Sequence, residues 1–250
     1  MSDPDNHNLH ADDLPRGWVR TTIGEIAKQI NSGFPSGQHN KENRGVPHLR
    51  PMNVSSKGEI DLSDVKYVEA TDYDPLLEGD VLFNNTNSPV LLGKTAYIRR
   101  NTNWAYSNHM TRIRLIDKDI SSAWVAHGLH YLFLTGYFQL HCRHHVNQAS
   151  INTGFLGEVR IPFPPSPEQL RIVADVERRL SVVQEMEVSV AANLARAERL
   201  RQSILKRAFE GRLAPQDPSD EPASMLLERI RAHRARATET AVARKRRQST

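Results

Sequence analysis

The length, composition and charge of this 250-residue chain exclude several classes of protein. The one cysteine, Cys142, excludes an internal disulfide and fits a reducing compartment. No apolar run approaches the roughly 20 residues needed to span a bilayer. Residues 1–166 carry 16 Lys and Arg against 17 Asp and Glu, whereas residues 167–250 carry 17 against 12. We expect a cytoplasmic protein with no membrane partner, whose first part could bind a polyanion only through local polar groups.

Residues 14–165 show the sequence pattern of one α/β (α+β) domain. We expect residues 1–13, which precede it, to be a disordered leader. A short amphipathic helix is predicted over Ile23–Ile30, and a longer helix over the apolar stretch Ala123–Leu140. Between them, short apolar runs are bounded by polar or Gly- and Pro-rich stretches. These runs predict strands at Val46–Leu49, Val65–Val68, Val81–Phe83, Ala96–Ile98 and Thr111–Ile116.

A strong helix-start signal separates the second part, residues 166–211, from the first. The prolines that precede it cannot continue a helix or a central strand. Ser166 is then predicted as N-cap, Pro167 as the first helical residue and Gln169 as the capping-box partner, with Gly211 as the C-cap. Apolar residues recur at alternating spacings of three and four, which is typical of a heptad-like seam of roughly 65 Å.

Such a long helix needs a second helix along its seam. It could pack back on its own domain, pair with a second copy or pair with another subunit, and its length argues against the first alternative. After a break at Pro215–Pro222, residues 212–250 are predicted to form a short helix from Met225 and a basic tail at Arg244–Arg247. That tail is either a solvated helix end or a contact for phosphates or a partner.

Several segments together resemble the specificity subunits of type I restriction-modification systems. The stretch Pro164–Val173 reads PPSPEQLRIV and resembles the proline-rich PP-x-x-EQ-x-RIV junction between a target-recognition domain and a spacer helix of that family. The resemblance covers roughly residues 14–235. Each motif is weak alone, but they are specific in this order: Leu14–Trp18, Thr22–Ile26, Glu78–Phe83, Leu92–Lys94 and Leu205–Leu213.

The resemblance implies a DNA-binding target-recognition domain followed by a long helix that forms an antiparallel coiled-coil spacer. It implies a non-catalytic subunit that binds double-stranded DNA and scaffolds methyltransferase (M) subunits and restriction/translocase (R) subunits in host defence against foreign DNA. Adenine methylation and restriction, with S-adenosylmethionine, ATP and Mg, would belong to those partners. The chain itself would hold no cofactor, no metal and no catalytic residue.

The chain departs from the family pattern because it has one recognition domain and one spacer helix instead of two of each. Either two copies dimerise or the sequence is a truncated form, and the seam favours a homodimer. The two domains of a homodimer would read inverted half-sites of a bipartite target, with the helix pair as a ruler between them. The residues expected to contact the partner helix are Leu170, Val173, Leu180, Val183, Val190, Leu194 and Ile204.

Four loops rich in hydrogen-bond donors and acceptors are candidate DNA readers: Ser32–Arg44, Asn84–Ser88, Asn103–His109 and His144–Asn152. Each Asn or Ser could instead form a turn for local reasons, and Arg50 could instead form a surface salt bridge. The candidate contacts, with Arg50 and Lys94 as possible phosphate contacts, are Ser36, Gln38, His39, Lys41, Arg44, Arg50, Asn84, Asn85, Thr86, Asn87, Ser88, Lys94, Asn108, His109, Asn147, Gln148, Ser150 and Asn152.

Two motifs suggest nucleotide or metal binding but are incomplete. Leu92–Thr95 ends like a phosphate-binding P-loop, yet Ser88 stands where that motif needs glycine and Pro89 removes a backbone amide. His141–His145 contains a cysteine and three histidines, but four zinc ligands at suitable spacing are not evident. A polar helix end is the simpler interpretation of this segment.

Two enzyme classes and one non-enzyme class are considered as alternatives. Phe163–Pro165 lacks the acidic or amide residue of a methyltransferase motif, and Asp61, Asp64 and Lys66 suggest a nuclease cluster only loosely. A nuclease and a helical adaptor that touches no nucleic acid are therefore the competing hypotheses. DNA binding would exclude the adaptor, and cleavage by the isolated chain would favour the nuclease.

Overall fold

The structure of the chain is a computed structural model that describes residues 14–35, 39–40, 42–70, 72–145 and 148–247. Its strands are β1 (Val19–Thr22), β2 (Ala27–Ser32), β3 (Val46–Leu49), β4 (Lys66–Val68), β5 (Val81–Asn84), β6 (Thr86–Asn87), β7 (Thr95–Tyr97), β8 (Ala105–Tyr106), β9 (Met110–Leu115), β10 (Arg143–His145), β11 (Gln148–Ser150) and β12 (Arg160–Phe163). Its helices are α1 (Ile23–Ile26), α2 (Ser122–Leu134), α3 (Tyr137–His141), α4 (Thr153–Glu158), α5 (Ser166–Phe209) and α6 (Ala223–Arg247). The chain divides into two compact units after Ser181.

The first unit is built on an antiparallel four-stranded sheet in the order β2-β9-β5-β7. Strand β5 is buried on both faces, because Val81 and Phe83 pack into one core and Leu82 packs into a second. The first core includes Val125 and Leu129 of α2. Smaller sheets in the orders β4-β3-β8, β10-β11-β6 and β1-β12 complete the unit. The predicted mixed α/β domain followed by a long helix is confirmed.

The helix predicted over Ile23–Ile30 is wrong in its second half. Helix α1 ends at Ile26, and a capping box holds its start: Thr22 N donates to Glu25 Oε2 at 2.7 Å and Glu25 N donates to Thr22 Oγ1 at 3.2 Å. The next residues form β2, which pairs with β9 from Ala27 to Ser32. Pairing with a long partner strand outweighs the local helical pattern here.

The helix predicted over Ala123–Leu140 is two helices, because Gly136 interrupts it. Its φ of 79° is left-handed, a conformation that favours glycine and commonly ends a helix. Helix α2 therefore stops at Leu134 and α3 starts at Tyr137. This break lets Phe138 turn into the core, where its ring lies 5.0 Å from that of Phe83.

The beginning of α5 packs on the first unit, which therefore extends past the predicted boundary at residue 165. Gln169 is 1% exposed, and its amide accepts from Ser121 N at 3.0 Å and donates to Pro164 O at 2.9 Å. Ser166 is the first helical residue and its hydroxyl donates to Asp119 O at 2.6 Å, so the capping box predicted for Ser166 and Gln169 is wrong. These bonds fix the first turns of α5 against the domain.

The second unit contains the rest of α5, the turn at Gly211 and α6. Gly211 has a φ of 70°, which agrees with its prediction as C-cap. Helix α6 runs for 25 residues to Arg247, so the predicted short helix with a basic tail is corrected to one longer helix that includes the basic residues. In the described part of the chain, no helix combines the length and the apolar character that crossing a membrane requires.

Candidate nucleic-acid interface

A buried amide, Asn85, joins segments that lie far apart in the sequence. Asn85 follows β5 directly and is 5% exposed. Its Nδ2 lies within hydrogen-bond distance of Thr111 Oγ1 at 2.9 Å, Asn108 O at 3.1 Å and Ser32 Oγ at 3.2 Å. Its Oδ1 accepts from Thr86 Oγ1 at 2.9 Å. One side chain therefore connects three of the four polar loops.

Backbone hydrogen bonds complete the connection. Asn85 N and Thr86 N donate to His109 O at 3.1 and 3.3 Å, and Ile151 N donates to Asn85 O at 2.9 Å. The loop that begins at Ser32 joins through Asn108 N, which donates to Phe34 O at 3.2 Å. We call the resulting surface the polar junction, defined as Gly33–Pro35, Thr86–Ser88, Asn108–His109, Arg143 and Gln148–Asn152.

Close backbone approach at Gly33 holds the first loop in the polar junction. Gly33 N donates to Met110 O at 3.2 Å, and Phe34 N donates to Tyr106 O at 3.2 Å. A Cβ added to Gly33 would collide with the carbonyl oxygen of Tyr106. Only glycine therefore allows the two backbones to lie this close.

The candidate readers within the polar junction differ in exposure and in local bonding. Asn108, His109 and Gln148 are exposed. Asn152 is also exposed, but its Oδ1 accepts from Phe155 N at 2.7 Å and caps α4. Half-buried candidates are Thr86, Asn87, Ser88 and Ser150, of which Asn87 Oδ1 accepts from Ser88 N at 2.8 Å. The turn-forming alternative therefore applies to Asn87 and Asn152.

Three predicted DNA contacts are inside the fold and are corrected. Asn84 is 0% exposed, and its Nδ2 donates to Pro51 O at 2.8 Å. Lys94 is 6% exposed, its Nζ donates to Val54 O, and burial lowers its pKa. Asn85 is the buried residue on which the loops of the polar junction converge. None of these three side chains can reach a base edge or a phosphate, because each is enclosed and bonded within the protein.

A group of side chains around β3 flanks the polar junction. His48 Nε2 lies 3.3 Å from Phe34 O, and its Nδ1 lies 3.3 Å from Nε2 of the half-buried His39. Burial lowers the pKa of His39, and burial lowers the pKa of His48 to about 4. Both imidazoles are therefore neutral at pH 7 and act as hydrogen-bonding groups.

Four candidates lie outside the described residues: Ser36, Gln38, Lys41 and Asn147.

The two arginines predicted near this group are engaged by carboxylates. Arg44 lies 3.7 Å from Glu42 and 3.8 Å from Glu69. Arg50 Nη2 lies 3.4 Å from Asp64 Oδ2 and donates to Asp64 O at 2.9 Å. The surface salt bridge considered for Arg50 is therefore the arrangement in this structure. Arg44 is exposed and its ion pairs are long, so it remains free to reorient.

Arg143 joins the polar junction although it was not among the candidates. It lies opposite Ser150 in the sheet β10-β11-β6, and Ser150 lies opposite Thr86. The neighbour of Ser150, Ala149, is fully buried, so this row faces away from the core. The polar-apolar alternation of Gln148–Asn152 is the sequence signal that could have identified β11 and its partner strand.

The residues behind the alternative functions are engaged in structural contacts. Asp64 lies 3.4 Å from Lys66 Nζ and also pairs with Arg50, and Asp61 Oδ1 accepts from Ser63 N at 2.9 Å. Among the residues that the structure describes, no group of three or more His, Cys, Asp and Glu side chains is placed to hold a metal ion.

The family model described as "Type I restriction modification DNA specificity domain" matches residues 15–178. The chain is 26% identical over 208 residues to the putative type I restriction enzyme MjaX specificity subunit of Methanocaldococcus jannaschii, covering 79% of this chain and 48% of the relative. It is 28% identical over 237 residues to the type I restriction enzyme EcoKI specificity subunit of Escherichia coli, covering 87% of this chain and 50% of the relative. The chain thus spans about half the length of these curated relatives.

Solved structures agree with this assignment. The HsdS subunit from Thermoanaerobacter tengcongensis is 26% identical and aligns with a TM-score of 0.56 over 80% of this chain and 47% of that chain. A chain from a structure concerned with complex assembly and conformational transition of the type I R-M system aligns with a TM-score of 0.63 at 26% identity, over 80% of this chain and 48% of that chain. From the fold, the family model and these relatives, we conclude that the chain belongs to the family of type I restriction modification DNA specificity domains.

Proposed function

We propose that this chain recognises a sequence in double-stranded DNA and confers that specificity on a type I restriction-modification complex, without catalysing a reaction itself. The observation that carries the proposal is the convergence on Asn85 of polar loops from distant parts of a domain that the family model matches. Rigidly held donors and acceptors on neighbouring loops are what base readout requires.

The charge of the chain supports readout by local groups. The first 166 residues carry nearly equal numbers of acidic and basic side chains. Phosphate contacts position a protein on DNA without specifying sequence, whereas base contacts carry the specificity. A near-neutral recognition domain therefore depends more on its polar junction than a strongly basic domain would.

We further propose that α5 pairs antiparallel with α5 of a second copy and that the pair holds methyltransferase subunits. The part of α5 in the second unit exposes large apolar side chains at helical spacing, including Val183 at 50%, Val190 at 57% and Leu194 at 66%. Such a stripe is stable in water only when another helix covers it. A twofold pair would present two recognition domains to inverted half-sites of a bipartite target.

The proposed division of labour places the chemistry in the partners. Methyltransferase subunits would bind S-adenosylmethionine, and restriction subunits would use ATP and Mg. This chain would contribute the choice of site and the scaffold.

Methylome sequencing of a host that expresses this chain with its methyltransferase subunits tests both levels of the proposal. We expect one methylated motif that depends on the chain and has inverted half-sites around an unread spacer. A contiguous asymmetric motif would contradict the paired arrangement, and methylation independent of the chain would contradict the reading function. The purified chain with magnesium should leave plasmid DNA intact; cleavage would favour the nuclease.

A further inference from the structure

Strands β10 and β11 form an antiparallel hairpin at one edge of the three-stranded sheet in the polar junction. In the sheet order β10-β11-β6, strand β6 continues from the buried Asn85, whereas β10 lies at the opposite edge. Arg143 and Gln148 on this hairpin are exposed, while Ala149 packs into the core. On this hairpin, Arg143 and Gln148 therefore face outward, while Ala149 faces the core.

We infer that the row of Arg143, Ser150 and Thr86 reads base edges in the major groove of DNA, with Arg143 binding a guanine of the target. The inference rests on the proposed DNA-reading function and names the residue that sets one base of its specificity. The major groove, roughly 12 Å wide, admits a two-stranded ribbon. Neighbouring strands are about 4.8 Å apart, so a row of side chains across three strands is nearly as wide as the major groove.

The surroundings of Arg143 include Glu158, which lines the same groove but forms no ion pair with it. Within the described residues, Arg143 makes no ion pair, whereas Arg44, Arg50 and Arg99 each lie within 4.0 Å of a carboxylate oxygen. A guanidinium can bind O6 and N7 of guanine together through two parallel hydrogen bonds.

Aromatic rings line the groove at this part of the polar junction. Arg143, Ser150 and Asn152 line a groove of about 360 Å³ with Phe155 and His141. The His141 ring stacks on Tyr137 with centroids 4.3 Å apart and lies 5.9 Å from Phe155. The rings of His141 and Phe155 therefore form part of the lining of the groove that Arg143 shares.

The test compares Arg143→Gln and Arg143→Lys with the control Arg160→Gln in the assembled complex with methyltransferase subunits. Arg160 is also exposed but lies on β12, in a different sheet. Once methylome sequencing has given the wild-type motif, affinity is measured for a target duplex and a non-target duplex. We expect both Arg143 variants to lose target preference by about ten- to a hundredfold and to accept other bases at one guanine position. Arg160→Gln should keep the motif and the preference.

Base analogues test which atom of the guanine Arg143 contacts. Replacing one motif guanine by 7-deazaguanine removes the N7 acceptor, so it should weaken binding by the wild-type complex and have no further effect on Arg143→Gln. Arg143→Lys keeps the charge and should bind non-target DNA as the wild type does, because it lacks only the bidentate geometry. Thermal unfolding midpoints should match the wild type, since Arg143 is exposed.

Several outcomes would overturn the inference: a motif without guanine, Arg143 variants that keep the wild-type motif and preference, or an equal loss on target and non-target DNA. These differ from failure of the proposed function. In that case the wild-type complex itself would show no target preference, and the inference would fall with it.

Discussion

His48 binds the loop beside the polar junction through both of its ring nitrogens. The carbonyl oxygen of Phe34 can only accept, so the bond to His48 Nε2 requires a proton on that nitrogen. His48 Nδ1 then accepts from His39 Nε2. Protonating His48 would place two N–H groups against each other unless His39 changed its tautomer. Burial opposes the charge as well, which is why the pKa of His48 falls to about 4.

We predict that the stability of the protein falls as the pH drops from about 6.5 to about 4. The pKa of His48 is lowered from 6.5 to about 4, so the unfolded chain binds more protons in this window and the stabilisation present above pH 6.5 is lost. Burial lowers the pKa of His127 and His130 in the same direction. Urea unfolding at several pH values measures the slope. His48→Gln should be less stable at pH 7 but show a shallower slope, and an equal slope would contradict the assignment to His48.

At the scale of single residues, the sequence identified the loops of the polar junction. It could not distinguish the side chains that are candidates for base contacts from those that hold the loops together. Asn84, Asn85 and Asn87 look alike in sequence, since all three follow an apolar strand. Their different roles depend on which way each side chain points relative to two cores, and that direction is set by pairing with β9 and β11. Whether the exposed candidates contact DNA stays a prediction.

At the scale of elements, α5 has two parts with different surroundings. Val173 is 9% exposed and packs against the first unit, so the prediction that it contacts a partner helix is corrected. Leu170, Leu180 and Ile204 are 60%, 51% and 45% exposed, so they remain candidates for a partner contact together with Val183, Val190 and Leu194. The pairing of this seam with a second copy stays a prediction.

We predict that Val183→Glu with Val190→Glu produces monomers and prevents assembly with methyltransferase subunits. Carboxylates on the seam would have to be buried without partners in a paired helix, which costs several kcal/mol. Light scattering measures the mass of the chain alone and of the mixture.

The matched control for this variant is Ser181→Glu with Ala192→Glu. At 100° per residue these positions lie on the opposite side of the helix, so the added charge is the same and the seam is intact. The control should keep the wild-type mass. A wild-type mass for the seam variant, or equal losses in variant and control, would contradict a partner at this face.

The elements that the sequence predicted well are those whose pattern is local. Strand β3 was predicted with its observed bounds, and β5, β7 and β9 were found within one residue. Short strands such as β6 and β8 were missed because two residues carry no periodicity. Strand β2 was misread as helix because the strand β9 that pairs with it lies some 80 residues later, beyond the reach of any local pattern.

At the scale of the whole molecule, charge is divided unevenly along the chain. The basic excess lies after residue 166, and α6 carries Arg and Lys along its 25 residues. The near-neutral first part would not attract DNA by its net charge, so we expect the proposed DNA binding to include individual phosphate contacts. Each phosphate that a cation neutralises releases counterions and makes binding depend on salt.

We predict that affinity for the target duplex falls steeply between about 50 and 200 mM salt, because each phosphate contact contributes about −0.9 to the slope of log K against log salt. Fluorescence anisotropy with the assembled complex gives that slope. Arg143→Gln should change it little, since that residue is assigned to a base, and it thereby serves as an internal comparison. A flat response in the wild type would contradict phosphate contacts altogether.

The family itself could be recognised from sequence because its motifs mark junctions whose chemistry is local: a proline-rich break, a helix start and a helix end. The convergence of the loops could not, because it depends on hydrogen bonds between distant residues, such as those that Asn85 makes to Ser32, 53 positions away, and to Thr111, 26 positions away.

The side chain that holds the loops of the polar junction together, Asn85, is different from the side chains that are exposed on its surface. Its amide is bonded within the protein to Ser32, Asn108, Thr111 and Thr86, while His109 and Gln148 are exposed. Substituting these exposed side chains should therefore change the DNA sequence that is selected without destabilising the fold. Under the proposed function, a restriction system with this arrangement would acquire a new target through a few surface substitutions.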